Sequence, residues 1–396
     1  MTIPEPITAA PSKEELDLRI ANLRSTMAEK GLDVYVAAHT DNVYYLTNFA
    51  YLPFERPFFL VIPAAGTPAL VVPLLEVSHA RQRVLIDVEY CPYYEYPAPA
   101  GRGYVDTLKT VVGDSLKVGV ESSLSIAHQG IMPGEPVVAD LIDEARLVKT
   151  DYEVGRITYA AGVTQVGMKK ALEQCTPDAA LATIYSESAR EMMVKVLFEV
   201  PNPNLLVTKF LAAVWPEALS AQPHSVPGMF DTLKKGGPNV AIVTAQANGY
   251  SAELERTFFI GQVPEGAKRM FDLFMEARRK AYALVKPGIR AADVDHAVLQ
   301  VIKDAGHADN ILHRTGHGFG ITGHEPPWVA LGSGHVLEKN MVISIEPGIY
   351  MAEVGGFRHS DTVLVTDDGC VSLTDYPDKL EDLVCLLYTS DAADDK

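Results

Sequence analysis

The sequence predicts an α+β protein with two domains. At 396 residues, 47% of them apolar, the chain is long enough to bury two sizeable cores. In the first part, helical and extended patterns alternate, which is typical of an α/β layered domain. In the second part, paired helices are separated by strand-like segments rich in β-branched residues, which indicates an antiparallel sheet with helices on one face. We place the boundary near residue 150, where a charged segment leads into a long helical pattern.

The first domain, residues 1–150, begins with a predicted helix over 12–31. Its opening residues, SKEE, form a capping-box pattern, and apolar residues follow at helical spacing. These apolar residues are Leu16, Ile20, Leu23 and Met27. Buried strands are predicted in DVYVAA, FFLVIP, ALVVPLL and KVGVE, and helices in VSHARQR and VDTLKTVV.

The second domain, residues 151–384, contains longer elements. Helices are predicted over 158–175, 181–200, 267–285 and 291–305, and the last three are each stopped by Gly or Pro. Strands are predicted in VAIVTA, RTFFIG, VISIEPGIY and DTVLVT.

The last segment, residues 385–396, has an unusual sequence. CLLYTSDAADD is what one reading frame of a common sequencing adapter would encode, so we expect read-through and assign the tail no function. The alternative is a genuine polar tail.

Composition excludes several classes of function. The formal net charge is −17, and the clustered Lys and Arg that a nucleic acid or an anionic membrane would require are not seen. No run of about eighteen apolar residues occurs, and the start, MTIPEPITAAPSKEE, lacks the regions of a signal peptide. A cytoplasmic protein is therefore expected. The four cysteines have no CxxC or zinc-like spacing, which indicates free thiols.

Carboxylates and histidines concentrate in a few segments of the second domain. Glu253 and Glu255 alternate with an apolar residue, so on a strand they point the same way, about 7 Å apart. If Glu346 joins them from a neighbouring strand, three carboxylates surround one concavity and require a cation or shared protons. His224 lies in a loop flanked by prolines, and its neutral imidazole suits it to take a proton from water and return it to a leaving nitrogen.

Four segments together resemble the pita-bread hydrolases, the family of prolidase, aminopeptidase P, methionine aminopeptidase and creatinase. They are GYSAELERTFF at 249, HRTGHGFGITGHEPPW at 313, SIEPGIY at 344 and GGFRHSDTVLV at 355. The resemblance implies a second domain with the pita-bread fold, built as two αββ half-repeats. In metal-dependent members, Asp, Asp, His, Glu and Glu bind a pair of divalent ions. The corresponding residues here are Ile242, Glu253, His317, Glu346 and Ser360. Because isoleucine has no donor atom and a serine hydroxyl is a poor ligand, we expect a site without metal and without another cofactor.

The site pattern most resembles the metal-independent, creatinase-like branch. The creatinase pattern GYYTALERTLF shares the LERT core, and PFERPFF matches a creatinase segment whose Phe and Arg hold the substrate carboxylate in the neighbouring subunit. This implies a homodimer in which Phe54 and Arg56 cross the interface. The segment HEPPW lacks an arginine that creatinase has there and resembles prolidase-like members, so creatine itself is not the expected substrate.

The resemblance leads to three hypotheses about function. The first is a metal-independent hydrolase of a C–N bond, amidine or amide, in a small zwitterionic compound, similar to creatinase or ectoine hydrolase. Its catalytic residues would be His224, Glu255 and Glu346, and its substrate-binding residues Phe54, Arg56, Glu253, His317 and His324. In this hypothesis, Glu255 either holds the cationic group of the substrate or is itself the nucleophile.

The other two hypotheses come from different classes. One is a metal-dependent Xaa-Pro dipeptidase with a single ion held by Glu253, His317, Glu346 and Asp361. The other is an inactive pita-bread module that binds a peptide or a protein. For Arg358 and Asp361 we expect a structural ion pair beside Ser360.

Overall fold

The computed structural model describes residues 3–114, 117–133 and 135–385, and the chain folds into two compact units. One unit is Ala9–Leu147, and the other comprises Met1–Thr8 and Val148–Lys396. All but the first residue of the tail assigned to adapter read-through lies outside the described residues.

The smaller unit is a layered α/β domain with a mixed sheet in the order β4-β3-β2-β1-β5-β6. Strand β1 pairs antiparallel with β2 and parallel with β5. Its helices and strands are α1 (Lys13–Glu29), β1 (Val34–Ala37), α2 (Thr40–Thr47), β2 (Phe59–Pro63), β3 (Ala69–Pro73), α3 (Val77–Arg83), β4 (Glu89–Tyr93), α4 (Tyr104–Val112), β5 (Val118–Val120), α5 (Ile126–Gln129), β6 (Val137–Val138) and α6 (Leu141–Ala145).

The predicted elements of this unit are present. Helix α1 is capped by Ser12, whose hydroxyl accepts a hydrogen bond from the backbone N–H of Glu15. The four apolar residues chosen from its helical spacing are all buried. Sequence analysis missed α2, β4 and the short elements α5, β6 and α6, which span at most five residues each. Helix α2 is short and rich in residues that favour strands, and β4 contains a proline.

The larger unit contains a long, mostly antiparallel sheet in the order β11-β10-β12-β15-β9-β8-β7. Its helices and strands are α7 (Asp151–Gln174), α8 (Leu181–Glu199), β7 (Lys209–Trp215), α9 (Glu217–Ser220), β8 (Gly236–Ala247), β9 (Tyr250–Ile260), α10 (Ala267–Leu284), α11 (Ala291–Asp304), β10 (Gly316–Gly318), β11 (Glu325–Val329), β12 (Val342–Ile345), β13 (Gly348–Met351), β14 (Gly355–Arg358), β15 (Ser360–Val365), β16 (Cys370–Ser372) and β17 (Val384–Cys385).

Helices cover the face of the sheet that carries Val243 and Leu254. Helix α7 packs on β8 and β9, α8 packs on β7 and α7, and α10 packs on α11 and β12. Gly167 in α7 permits a close approach of this helix to the sheet, since an added Cβ would lie 2.7 Å from Val243 Cγ1. The α+β prediction is therefore confirmed for this unit. No helix of the described segments is long and apolar enough to span a bilayer.

One predicted strand is divided in two. The segment VISIEPGIY forms β12 and β13, with Glu346 and Pro347 between them. Proline has no N–H to donate to a ladder, and the N–H of Glu346 leaves the β12–β15 pairing to donate to the carbonyl of Thr315, 2.8 Å away. The break turns the Glu346 side chain toward the other carboxylates.

Candidate active site

The floor of the site is set by the register of three strands. Ile242 in β8 lies opposite Glu255 in β9, which lies opposite Ser360 in β15, so the three residues form one cross-strand row. Thr244 and Glu253 are paired in the neighbouring row, on the same face. Because side chains alternate along a strand, this face is the one that the helices leave uncovered.

Carboxylates converge on this floor. Oxygen atoms of Glu253, Glu255 and Glu346 lie within 4.8 Å of one another. Burial, partly offset by Arg358 and increased by the negative charge of Glu253, raises the pKa of Glu255 to about 8. Burial and the charges of Glu253 and Glu255 raise the pKa of Glu346 well above its ordinary value. The group therefore binds a proton or another cation readily.

The positively charged guanidinium group of Arg358 lies beside these carboxylates. Its Nε lies 2.5 Å from Glu255 Oε2, and its Nη1 donates to the Tyr350 hydroxyl over 3.2 Å. The Tyr350 oxygen is 2.7 Å from His313 Nε2. A chain of polar contacts thus runs from Glu255 to His313, whose pKa is lowered to about 4 by burial and the nearby Arg358.

The predicted Arg358–Asp361 pair is wrong. Asp361 lies on the helix-covered face, where its carboxylate contacts Arg256 Nη2 at 2.9 Å and Arg278 Nη2 at 2.5 Å. It also accepts a hydrogen bond of 2.6 Å from the Thr374 hydroxyl. Asp361 is therefore not available as a metal ligand.

His317 and His324 add nitrogen donors beside Glu253. Their rings stack with centroids 3.8 Å apart, and His317 Nε2 lies 3.4 Å from Glu346 Oε1. Burial lowers the pKa of His317 to about 4, which keeps its imidazole neutral at pH 7. Donor atoms of Glu253, His317 and His324 lie within 4.8 Å of one another.

These groups open into a cavity of about 670 Å³. Its polar side is lined by Glu253, Glu255, His224, His313, Arg314, His324, Glu346 and Arg358. Its other side is apolar and is formed by Leu181, Tyr185, Leu211, Trp215, Val226 and Met229. The exposed loop histidine, His224, lines the same cavity as the carboxylates, and its catalytic role stays a prediction.

Phe54 and Arg56 lie in the smaller unit. Phe54 is 76% exposed, and it lines a separate cavity of about 500 Å³ within that unit. Arg56 contacts Glu95 at 2.5 Å and Glu55 at 3.1 Å. Their role in binding a partner's substrate stays a prediction.

The donor set fits one metal ion and not two. Ile242 offers no donor, and the Ser360 hydroxyl is neutral, so the row that they form with Glu255 contributes one carboxylate. Around Glu253 the set is richer. Glu253 Oε1 and His317 Nε2 are buried without a hydrogen-bond partner in the described part of the chain, as expected of ligand atoms that face a cation.

Sequence analysis assigned no function to Arg314, Tyr350 or Arg358. Arg314 lies in the second of the four segments that carry the family resemblance, and Arg358 lies in the fourth. A sequence signal was present for Arg358, because its odd separation from Asp361 places the two on opposite faces if the strand pattern continues. Tyr350 had no comparable signal.

Two protein-family models match the chain. The Metallopeptidase family M24 model matches residues 155–367, and the Creatinase/Prolidase N-terminal domain model matches residues 19–148. The first match alone covers more than half of the chain.

Relatives match over nearly the full length. The putative dipeptidase YkvY of Bacillus subtilis is 31% identical over 93% of this chain and 99% of its own. The Xaa-Pro dipeptidase of Pyrococcus furiosus is 27% identical over 90% of this chain and 97% of its own. The crystal structure of dipeptidase PepE from Mycobacterium ulcerans has a TM-score of 0.79 at 25% identity and covers 94% of this chain and 98% of that one.

These similarities overturn the first functional hypothesis. The prediction of a metal-independent, creatinase-like hydrolase of a small zwitterionic compound is wrong, because the matching family is a metallopeptidase family and the full-length relatives are named dipeptidases. That hypothesis assumed a site without metal because Ile242 and Ser360 lack the carboxylates of the two-ion pattern. Their absence removes the ligands of one ion position, but the donors around Glu253 remain.

The broader predictions agree with the similarities. A hydrolase of C–N bonds with the two-domain pita-bread fold is confirmed by both family models and by the solved structure. The chain belongs to Metallopeptidase family M24.

Proposed function

We propose that this chain is a cytoplasmic dipeptidase whose site holds one divalent metal ion. The observation that carries the proposal is the convergence of donor atoms on Glu253, from Glu255 and Glu346 in one group and from His317 and His324 in the other. Full-length relatives named dipeptidase and Xaa-Pro dipeptidase support a small peptide as the substrate.

The ion would be held around Glu253, which belongs to both groups of converging donors. Glu253, His317 and Glu346 would hold it, and Glu255 and His324 lie near enough to complete the set. When bound, the ion would act as a Lewis acid toward the scissile carbonyl group and the attacking water.

The chain's own residues supply the rest of the chemistry. His224 borders the cavity, where its imidazole can carry a proton from water to the leaving nitrogen. Arg358 holds the Glu255 carboxylate in place, and Tyr350 links Arg358 to His313. The apolar side of the cavity excludes water and receives an apolar side chain of the substrate.

The test is a hydrolysis assay combined with metal analysis. We expect the purified protein to cleave at least one of Leu-Pro, Ala-Pro, Leu-Leu and Gly-Leu, to lose activity in EDTA and to regain it with Mn²⁺, Co²⁺ or Zn²⁺. Elemental analysis should find one ion per chain. Creatine, as a control, should remain intact.

Each part of the proposal has its own contrary outcome. Two ions per chain would contradict the single-ion site, and full activity of metal-free protein would contradict a role for the ion. Failure to cleave any dipeptide with every added ion would contradict the dipeptidase assignment and favour a module that binds without catalysis. Cell fractionation tests the location.

We further propose a homodimer in which Phe54 and Arg56 of one subunit reach the cavity of the other. The support is the exposure of Phe54, which occupies a turn with a positive φ of 46°, and the exposed apolar side chain of Val226, which lines the cavity. Phe230, next to the cavity residue Met229, is exposed as well. An exposed apolar edge of this kind is typical of an interaction site.

Complementation between two inactive variants tests the dimer. Arg56→Ala and Glu346→Gln chains should each be inactive alone, and their co-expression should restore about a quarter of wild-type activity, because half of random dimers contain one intact composite site. Each variant must elute as a dimer in light scattering. Absence of recovery in verified mixed dimers, or a monomeric wild type, would contradict the proposal.

A further inference from the structure

Arg314 is a cavity residue to which the chemistry above assigns no role. It lies two residues before β10 and is half-buried. Its Cζ lies 4.7 Å from the centroid of the Trp328 ring, and its Nε donates to the carbonyl of Gly316 over 3.0 Å. Stacking and this hydrogen bond fix one edge of the guanidinium.

The other edge of the guanidinium is free to bind a ligand. Within the described segments, Arg314 has no ion pair with a carboxylate, and its two terminal nitrogens donate no hydrogen bond. The second arginine of the cavity differs, because Arg358 is paired with Glu255. A fixed guanidinium with its fork open is suited to bind a carboxylate through two parallel hydrogen bonds.

The cavity is therefore bipolar. Carboxylates gather at Glu253, Glu255 and Glu346, while an unpaired positive charge lies at Arg314. A dipeptide has a carboxylate one residue after its scissile bond, whereas a longer peptide has a neutral amide there.

We propose that Arg314 binds the C-terminal carboxylate of the substrate and thereby limits hydrolysis to dipeptides. The inference rests on the proposed dipeptidase function. Arg314 acts by positioning the substrate, and no proton is transferred to or from its guanidinium, which stays charged.

The experiment compares free dipeptides with their amides. Leu-Pro and Leu-Leu, and the C-terminal amide of each, are assayed with the wild type, Arg314→Gln and Arg314→Lys in the presence of added Mn²⁺. For the free dipeptides, Arg314→Gln should lower kcat/KM by a factor on the order of 10 to 100, mainly through KM, because a charge-assisted pair is lost. Hydrolysis of the amides should change by less than about twofold.

Two controls separate binding from folding. Arg279→Gln makes the same change at an exposed position of α10 and should match the wild type on all four substrates. Arg314→Lys should recover part of the loss on free dipeptides, since lysine restores the charge without the fork.

The contrary outcomes are distinct from those of the proposed function. Equal losses on dipeptides and amides would show a structural role for Arg314, and unchanged KM for dipeptides would show no role in binding; each overturns the inference and leaves the dipeptidase assignment intact. A wild type that cleaves neither dipeptides nor amides overturns both.

Discussion

Replacement of Glu253 with glutamine is expected to abolish ion binding and peptide hydrolysis together. Glu253 is the one member shared by both groups of converging donors found among the described residues, so its neutralisation weakens every arrangement of ligands. Loss of several kcal/mol of transition-state stabilisation corresponds to a fall in kcat/KM by a factor on the order of 10³.

His224→Asn provides the contrasting variant. His224 borders the cavity but belongs to neither donor group, so this protein should retain its ion. Its turnover should nevertheless fall by a factor on the order of 10² to 10⁴, because proton transfer to the leaving nitrogen is lost. The two variants therefore separate metal binding from proton transfer.

Elemental analysis and calorimetric titration with Mn²⁺ measure the first property, and steady-state kinetics the second. Thr244→Val is the matched control, since Thr244 faces Glu253 across the strand pair and lines the same cavity without offering a carboxylate. A Glu253→Gln protein that keeps one tightly bound ion would contradict the ligand assignment, and normal turnover of His224→Asn would contradict its role as proton carrier.

The second large effect concerns stability. Asp361→Asn should lower the free energy of unfolding by about 3 to 5 kcal/mol, because it leaves the buried Arg256 and Arg278 guanidinium groups without their counter-charge. Burial alone would raise the pKa of Asp361, but the two guanidinium groups hold it below its ordinary value. The stabilisation is thus present at neutral pH and is lost as the pH falls through the lowered pKa.

Urea unfolding at pH 7 measures this change. Asp367→Asn is the matched control, because Asp367 makes an ion pair with Lys339 at 2.8 Å but its side chain is 77% exposed. Such a surface pair contributes at most about 1 kcal/mol. If the two variants were equally stable, the prediction that Asp361 stabilises the fold through the buried Arg256 and Arg278 would be wrong.

The parts of the fold that depend on local periodicity could be predicted from the sequence. Glu253 and Glu255 share a face because strand side chains alternate, and the long helices follow from apolar spacing. The position of Glu346 required the additional assumption that its strand adjoins β9, whereas in the structure β15 lies between them.

Contacts that depend on the register between distant strands could not be predicted. Arg358 and Asp361 are near in sequence, yet they point to opposite faces and bind different partners. The single-ion hypothesis named Glu253, His317 and Glu346 but added Asp361, which binds arginines on the other face of the sheet. It omitted His324, because residues were compared one by one with a two-ion pattern. The distances among Glu253, His317 and His324 become apparent only after β9 and β10 are placed in the same sheet.

The tight turn between β8 and β9 also bears on how this site can be altered by insertion. Asn248 and Gly249 both have positive φ and set which residues of the two strands face each other. If an added residue shifted the pairing of β9 by one position, Glu253 and Glu255 would turn toward the helices and Leu254 toward the substrate. The backbone conformation of two turn residues thus determines which side chains of β9 face the cavity. Variants with a longer or shorter turn would therefore exchange the two faces of β9 instead of making small changes to the site.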